Sequence, residues 1–151
     1  MREAIGNAFI INFVIVFVGI FIFFFAGSLA YTKAFKVKNK IINIIEERGS
    51  YDTSSEDLKT EITNYLKDAG YRIVSTGSCP TREGMELVNG SNGNNNIING
   101  YLYCVWKNEN ESDTRGTYYG VQTYMYFDVP IVGQTVTIPV YGETKYLGMF
   151  N

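Results

Sequence analysis

The sequence predicts an α+β protein: a long N-terminal transmembrane helix continues as an amphipathic rod and packs on a small antiparallel β-sheet with one further short helix. Three observations predict this architecture. An uncharged apolar run, a helical apolar stripe after it, and alternating tyrosine-rich segments follow one another along the 151 residues. We expect a membrane-spanning and extended helix over residues 1–48 and a small α+β outer domain over residues 49–151.

The first element is the apolar run AFIINFVIVFVGIFIFFFAG, which covers residues 8–27 and contains no formal charge. About twenty helical residues rise roughly 30 Å, which matches the hydrocarbon thickness of a bilayer. Phenylalanine recurs in it at every fourth position, at Phe9, Phe13, Phe17, Phe21 and Phe25. The run predicts a single-pass anchor in the cell membrane, with membrane lipid and other apolar helices as partners.

A second spacing within the run concerns helix–helix contact. Asn12, Gly19 and Ala26 recur every seven residues, which places an amide and two small residues near one seam. Small residues allow membrane helices to approach closely, and an amide can share hydrogen bonds between them. The seam and the phenylalanines predict an assembly surface. The alternative is that bulky apolar residues simply fill a helix that faces lipid.

The helix is expected to continue beyond the apolar run, because residues 28–48 contain neither proline nor glycine and Gly49 is a natural stop. Apolar residues in this stretch recur at three- and four-residue intervals, at Ala30, Ala34, Val37, Ile41 and Ile44. Lys33, Lys36 and Lys40 form a separate stripe. The spacing predicts a rod of roughly 60 Å whose apolar stripe docks the outer domain.

Three interpretations of the N-terminus stay open: a plain anchor, a continuous rod, and a signal peptide cleaved after the small residues Ser28 and Ala30. The sequence also gives conflicting signals about the side of the membrane on which the outer domain lies. Lysines after the span favour a cytoplasmic C-terminal part by the positive-inside rule. A disulfide favours the outside, and we predict an extracytoplasmic outer domain.

Composition narrows the function classes. The chain has no histidine, which removes the commonest general base and transition-metal ligand. Residues 49–151 carry seven basic and twelve acidic side chains, and an acidic domain of this kind does not favour nucleic acid. The acidic clusters, Glu46/Glu47, Glu56/Asp57 and Glu109/Glu111/Asp113, lie where solvated helices or turns are expected. We therefore predict no enzyme, no metal site, and no small-molecule cofactor.

The outer domain is expected to open with a helix. Thr53 and Glu56 have the spacing of a capping box, and Gly70 marks the end of the segment. The apolar face of this helix would comprise Leu58, Ile62, Leu66 and Ala69. The segment Tyr71–Ser75 has the composition of a strand, and residues 77–100 are expected to be loop-like.

Two cysteines, Cys79 and Cys104, are the only ones in the chain. An even count in a chain with a membrane signal predicts one disulfide between them. Two unpaired buried thiols are the alternative.

The last third predicts an antiparallel meander with Pro139 in an edge strand. In YLYCVW, residues 101–106, alternation places Leu102, Cys104 and Trp106 on the face toward the long helix. The opposite face would then expose a set of tyrosines: Tyr101, Tyr103, Tyr118, Tyr124 and Tyr126. Tyr118, Tyr124 and Tyr126 are the candidate ligand-binding residues of this face. The alternative is a set of cross-strand pairs that only stabilise the sheet.

The plan resembles that of type IV pilin-like proteins, and more closely the TadE-like pseudopilins of tight-adherence systems. AYTKAFKVKNKIINIIEERGSY, residues 30–51, looks like their post-membrane helix, and YMYFDVPIVGQTVTIPVYGETKYL, residues 124–147, looks like their closing strands. The family carries a prepilin-peptidase glycine with a glutamate five residues downstream. Here Ile11 stands five residues after Gly6.

The resemblance implies a membrane-anchored minor pilin or pseudopilin-like structural subunit of a tight-adherence or type IV pilus-like assembly. Its partners would be other pilin-like subunits, or further copies of itself, through the N-terminal helix. The alternative is an extracytoplasmic binding (adhesion) module on a single membrane span, which would use the tyrosine face.

Overall fold

The computed structural model describes residues 2–52, 54–89, 97–108, 116–129 and 134–148. Two helices come first, α1 (Arg2–Arg48) and α2 (Glu56–Asp68). The strands are β1 (Met85–Leu87), β2 (Ile97–Ile98), β3 (Tyr101–Leu102), β4 (Cys104–Asn108), β5 (Tyr119–Val129) and β6 (Gln134–Glu143). The predicted α+β class is confirmed, with one long apolar helix, a short second helix, and a small antiparallel sheet.

Helix α1 is one continuous helix of 47 residues. It ends where expected, because Gly49 adopts a left-handed φ of 74°, which glycine tolerates best. The predicted apolar stripe is confirmed: Ala34, Val37, Ile41 and Ile44 are buried, Ala30 is half-buried, and Ile45 joins them. The last third of α1 is therefore a core element of the outer domain.

Helix α2 begins later than the predicted capping box. Ser55 is its N-cap, and the Ser55 side chain accepts a hydrogen bond from the Leu58 backbone amide. Thr53 lies outside the described residues. The predicted apolar face is confirmed by the burial of Leu58, Ile62 and Leu66, and the helix ends before Gly70 at a φ of 61°.

The main sheet has the strand order β1-β4-β5-β6, and every neighbouring pair is antiparallel. Strands β4, β5 and β6 form the predicted meander, and β6 is the edge strand that contains Pro139. Strands β2 and β3 form a separate two-stranded sheet.

One predicted strand is absent from the described residues. Tyr71–Ser75 forms no strand, although the Val74 amide donates to the Gly100 carbonyl. Near the C-terminus, Leu147 makes only an isolated bridge with Thr117, and residues 149–151 lie outside the described residues. Short segments of this kind form strands only when a partner edge is available, which local composition does not reveal.

Helix α1 crosses strands β5 and β6 and runs antiparallel to β5. The Thr123 hydroxyl donates to the Ala34 carbonyl, and Met125 and Val140 pack on the Ala34 side chain. Farther down, Phe127 meets Phe23 with ring centroids 4.7 Å apart. The end of the β5–β6 hairpin therefore reaches the apolar half of α1.

The sheet is buried on both faces along β4. Tyr101, Tyr103 and Val105 belong to the core that faces the two helices, while Leu102, Cys104 and Trp106 form a second cluster on the other side. The predicted direction of the two faces in residues 101–106 is therefore wrong. Tyrosine rings have the apolar area to fill the wide space under a helix, and their hydroxyls find partners there.

Candidate functional site

The candidate site is the half of α1 that projects from the outer domain. The part of the structure that is described contains one helix long and apolar enough to cross a membrane, and its most apolar window is not buried inside the protein. Phe9 and Phe24, for example, are 73% and 71% exposed. A surface of this size and apolarity requires lipid or other apolar helices as its surroundings.

One side of this half is a ridge of phenylalanines. Phe9, Phe13, Phe17 and Phe21 are all exposed, and the rings of Phe17 and Phe21 lie 5.0 Å apart. At about 100° per residue, Phe13, Phe17 and Phe21 lie roughly 120–160° around the axis from Gly19. Phe13, Phe17 and Phe21, the Phe ridge from here on, therefore face away from Gly19, whereas Phe9 lies only about 80° from it.

The other side faces a groove beneath the β5–β6 hairpin. Gly19 and Ala26, two of the three predicted seam residues, line this groove of about 520 Å³ together with Phe23 and Phe127. Asn12 is within about 20° of Gly19 around the helix axis, so it points to the same side. The structure thus separates the predicted assembly residues into two opposite surfaces, the Phe ridge and the groove.

A polar cleft of about 270 Å³ lies directly above the groove, between α1, the segment after α2, and β5. Asp128 lines both cavities. The Arg72 guanidinium is 2.7 Å from the Asp128 carboxylate, and Lys33 donates to the Gly70 carbonyl over 3.2 Å. Lys33 therefore turns toward this cleft instead of standing free on a lysine stripe.

Two groups in the polar cleft have shifted pKa values. Hydrogen bonds from the Thr135 hydroxyl and the Arg72 guanidinium hold the pKa of the Asp128 carboxyl below its usual range. Burial raises the pKa of Tyr126 to about 12, and within the described residues its buried hydroxyl has no hydrogen-bond partner. The cleft therefore brings the Asp128 carboxylate and the Tyr126 hydroxyl beside the side chains of Arg72 and Lys33.

Sequence reasoning missed this cleft, because Arg72 and Asp128 are 56 residues apart in the chain. One feature of the sequence pointed to this region: Phe127 lies on the same strand face as Met125.

The predicted disulfide is confirmed. The Cys79 and Cys104 sulfur atoms are bonded, with the two Cα atoms 5.7 Å apart. Cys104 is buried beside Leu102, Trp106 and Tyr124 in the second cluster. The bridge fastens the segment before β1 to the centre of the sheet.

The five tyrosines predicted to share one exposed face are divided between the two sides of the sheet. Tyr103 is 0% exposed and Tyr101 is buried with it under the helices. Tyr124 is only 9% exposed, since it packs in the second cluster on the opposite side. Tyr126 is half-buried, and Tyr118 stacks edge-on against Tyr146 at 5.3 Å. The rings therefore lie on both sides of the sheet, where Tyr101, Tyr103 and Tyr124 fill its two cores.

The acidic clusters offer no converging carboxylates within the described residues. Glu46 accepts a hydrogen bond from the Lys145 amide and Glu56 pairs with Lys59. Glu109, Glu111 and Asp113 lie outside the described residues. Where the chain is described, no three His, Cys, Asp or Glu side chains come together as metal ligands.

No protein-family model, no curated protein and no solved structure matches this chain.

Proposed function

We propose that this protein is a membrane-anchored, pilin-like structural subunit that assembles with other pilin-like subunits or with copies of itself. The observation that carries the proposal is the division of α1, a single unbroken helix of 47 residues. Its apolar residues from Phe9 to Phe25 are exposed, whereas its stripe from Ala34 to Ile45 is built into the outer domain. Such a helix transmits any contact made in the membrane rigidly to the domain outside it.

The Phe ridge is the proposed assembly surface. It faces away from the hairpin, so a neighbouring helix can approach it without meeting the outer domain's own strands. Phe13, Phe17 and Phe21 present large apolar side chains that gain packing contacts between helices. The TadE-like resemblance of residues 30–51 and 124–147 supports the same function.

The proposal includes an extracytoplasmic outer domain. The disulfide between Cys79 and Cys104 supports this orientation, because such bonds persist in oxidising compartments. The burial of Tyr124 and the splitting of the tyrosines weaken the alternative of a tyrosine-based binding module.

Cross-linking in native membranes tests the assembly surface. Both native cysteines are bonded to each other, so a single introduced cysteine is the only free thiol. We expect Phe17→Cys to give a cross-linked species of higher mass at least fivefold more efficiently than Ile15→Cys, the matched control that lines the groove two residues away. The measurement is non-reducing electrophoresis after mild oxidation. Equal cross-linking of the two variants would contradict the ridge as the contact surface.

A further inference from the structure

The groove and the polar cleft form one continuous amphipathic site along α1. The groove is lined by apolar residues between Ile15 and Ala26, and the cleft by the next turns between Leu29 and Ala34. Asp128 borders both, so the two cavities meet at this side chain. A ligand with a charged head and an apolar tail matches this sequence of surfaces.

The position of the β5–β6 hairpin along α1 determines how deep the site lies in a bilayer. This depth rests on the membrane span of the proposed function. Strand β6 is an edge strand, and open strand edges do not occur in the hydrocarbon layer. The β5–β6 ladder continues to the pair Val129 and Gln134, so the hydrocarbon must end below the level of Phe23, where Phe127 contacts α1.

At this depth the charges of the polar cleft lie in the headgroup layer. Arg72 and Asp128 are at its base, and Lys33 is about 15 Å above Phe23 along the axis, from where its long side chain reaches the cleft. Two cations against one carboxylate leave one positive charge. The planar guanidinium of Arg72 is suited to a phosphate, which it can bind through two parallel hydrogen bonds.

We propose that this site binds one anionic phospholipid of the leaflet on the side of the outer domain. The lipid phosphate contacts Arg72 and Lys33, and the Tyr126 hydroxyl donates a hydrogen bond to the headgroup. One acyl chain lies in the groove against Gly19 and Ala26. The lipid fills the space between α1 and the hairpin, and it leaves the Phe ridge free for assembly.

Binding of phosphatidylglycerol to the full-length protein in non-ionic detergent tests the site. We expect affinity at least tenfold higher than for phosphatidylcholine with the same acyl chains. Glycerophosphoglycerol, the same headgroup without chains, is expected to bind more than tenfold more weakly than the lipid. Equal affinity for the two lipids would overturn the proposal, and so would equal affinity for lipid and free headgroup.

Two opposite charge changes separate lipid binding from a purely structural role of the ion pair. Arg72→Gln should lower affinity for phosphatidylglycerol about tenfold, whereas Asp128→Asn should raise it about threefold by removing the repelling carboxylate. Both variants break the same exposed pair, so a purely structural role would change affinity in one direction.

Lys36→Gln, which removes an exposed charge outside the cleft, should change affinity less than twofold. Gly19→Leu should lower affinity by filling the groove, since its Cβ would meet open space.

Carbonate extraction of the same membranes distinguishes this proposal from the proposed function. If all variants stay in the membrane but show no preference for phosphatidylglycerol, the lipid site alone is wrong. If the wild-type chain is released into the aqueous phase, the membrane anchor and the lipid site are both wrong.

Discussion

A chain shortened to residues 28–151 is expected to be soluble and folded. The removed residues up to Phe25 contribute an exposed apolar surface. Among the described residues, the ring of Phe23 contacts Phe127 of the outer domain. The buried stripe from Ala34 to Ile45 stays in place, so the core that faces the helices is retained. Membrane fractionation should move nearly all of the protein from the pellet to the supernatant, and cooperative thermal unfolding should persist.

The matched control is a chain that starts at Gly49, which should not fold. It lacks Val37, Ile41, Ile44 and Ile45, all of them almost fully buried. Burial of each such side chain stabilises by roughly 1.5–3 kcal/mol, so together they contribute roughly 6–12 kcal/mol. That matches the whole stability of a typical domain, about 5–15 kcal/mol. Cooperative unfolding of the chain that starts at Gly49 would contradict this division of α1. Aggregation of the chain that starts at residue 28 to the same extent as the chain that starts at Gly49 would contradict it too.

Much of the architecture follows from patterns within short stretches of sequence. The uncharged run, the stripe from Ala34 to Ile44, and the stops at Gly49 and Gly70 each depend on near neighbours in the chain, and each was predicted correctly. The edge position of Pro139 also follows locally, because proline has no amide hydrogen to donate to a further strand.

The predictions that failed depend on contacts between distant segments. Alternation in residues 101–106 defines two faces, but both are apolar enough to be buried, so the pattern does not say which faces the helices. Tyr101 and Tyr103 were assigned to the wrong face for the same reason, since Tyr103 meets Tyr51 across the core with hydroxyls 3.3 Å apart. The two faces can be told apart only once the positions of both helices are known.

The candidate site shows the same division. The Phe ridge is visible in the sequence as a four-residue spacing, whereas the groove exists only because the β5–β6 hairpin descends to Phe23. The length of β5, 11 residues, determines how far the hairpin reaches. The position of the turn after β5 sets this length. A turn can shift by several residues while the alternation of apolar residues along the strand stays the same.

Removal of the disulfide is expected to lower the free energy of unfolding of the outer domain by about 3 kcal/mol. The bridge joins residues 25 positions apart, and a closed loop of that size restricts the unfolded chain by about this amount in the chain-entropy model. The double variant Cys79→Ala/Cys104→Ala, made in the chain that begins at residue 28, isolates this contribution. Urea unfolding, with and without a reducing agent, gives the difference.

The two cysteine positions should also differ when each is replaced alone by serine under reducing conditions. Cys104 is fully buried among Leu102, Trp106 and Tyr124, whereas Cys79 is only half-buried. A hydroxyl at position 104 is desolvated among apolar side chains, so Cys104→Ser should cost about 1–3 kcal/mol more than Cys79→Ser. Equal losses would show that the second cluster is open to water.

An unchanged midpoint of the double alanine variant would show that the bridge does not restrict the unfolded chain, so the sheet and the segment before β1 would hold together by packing alone.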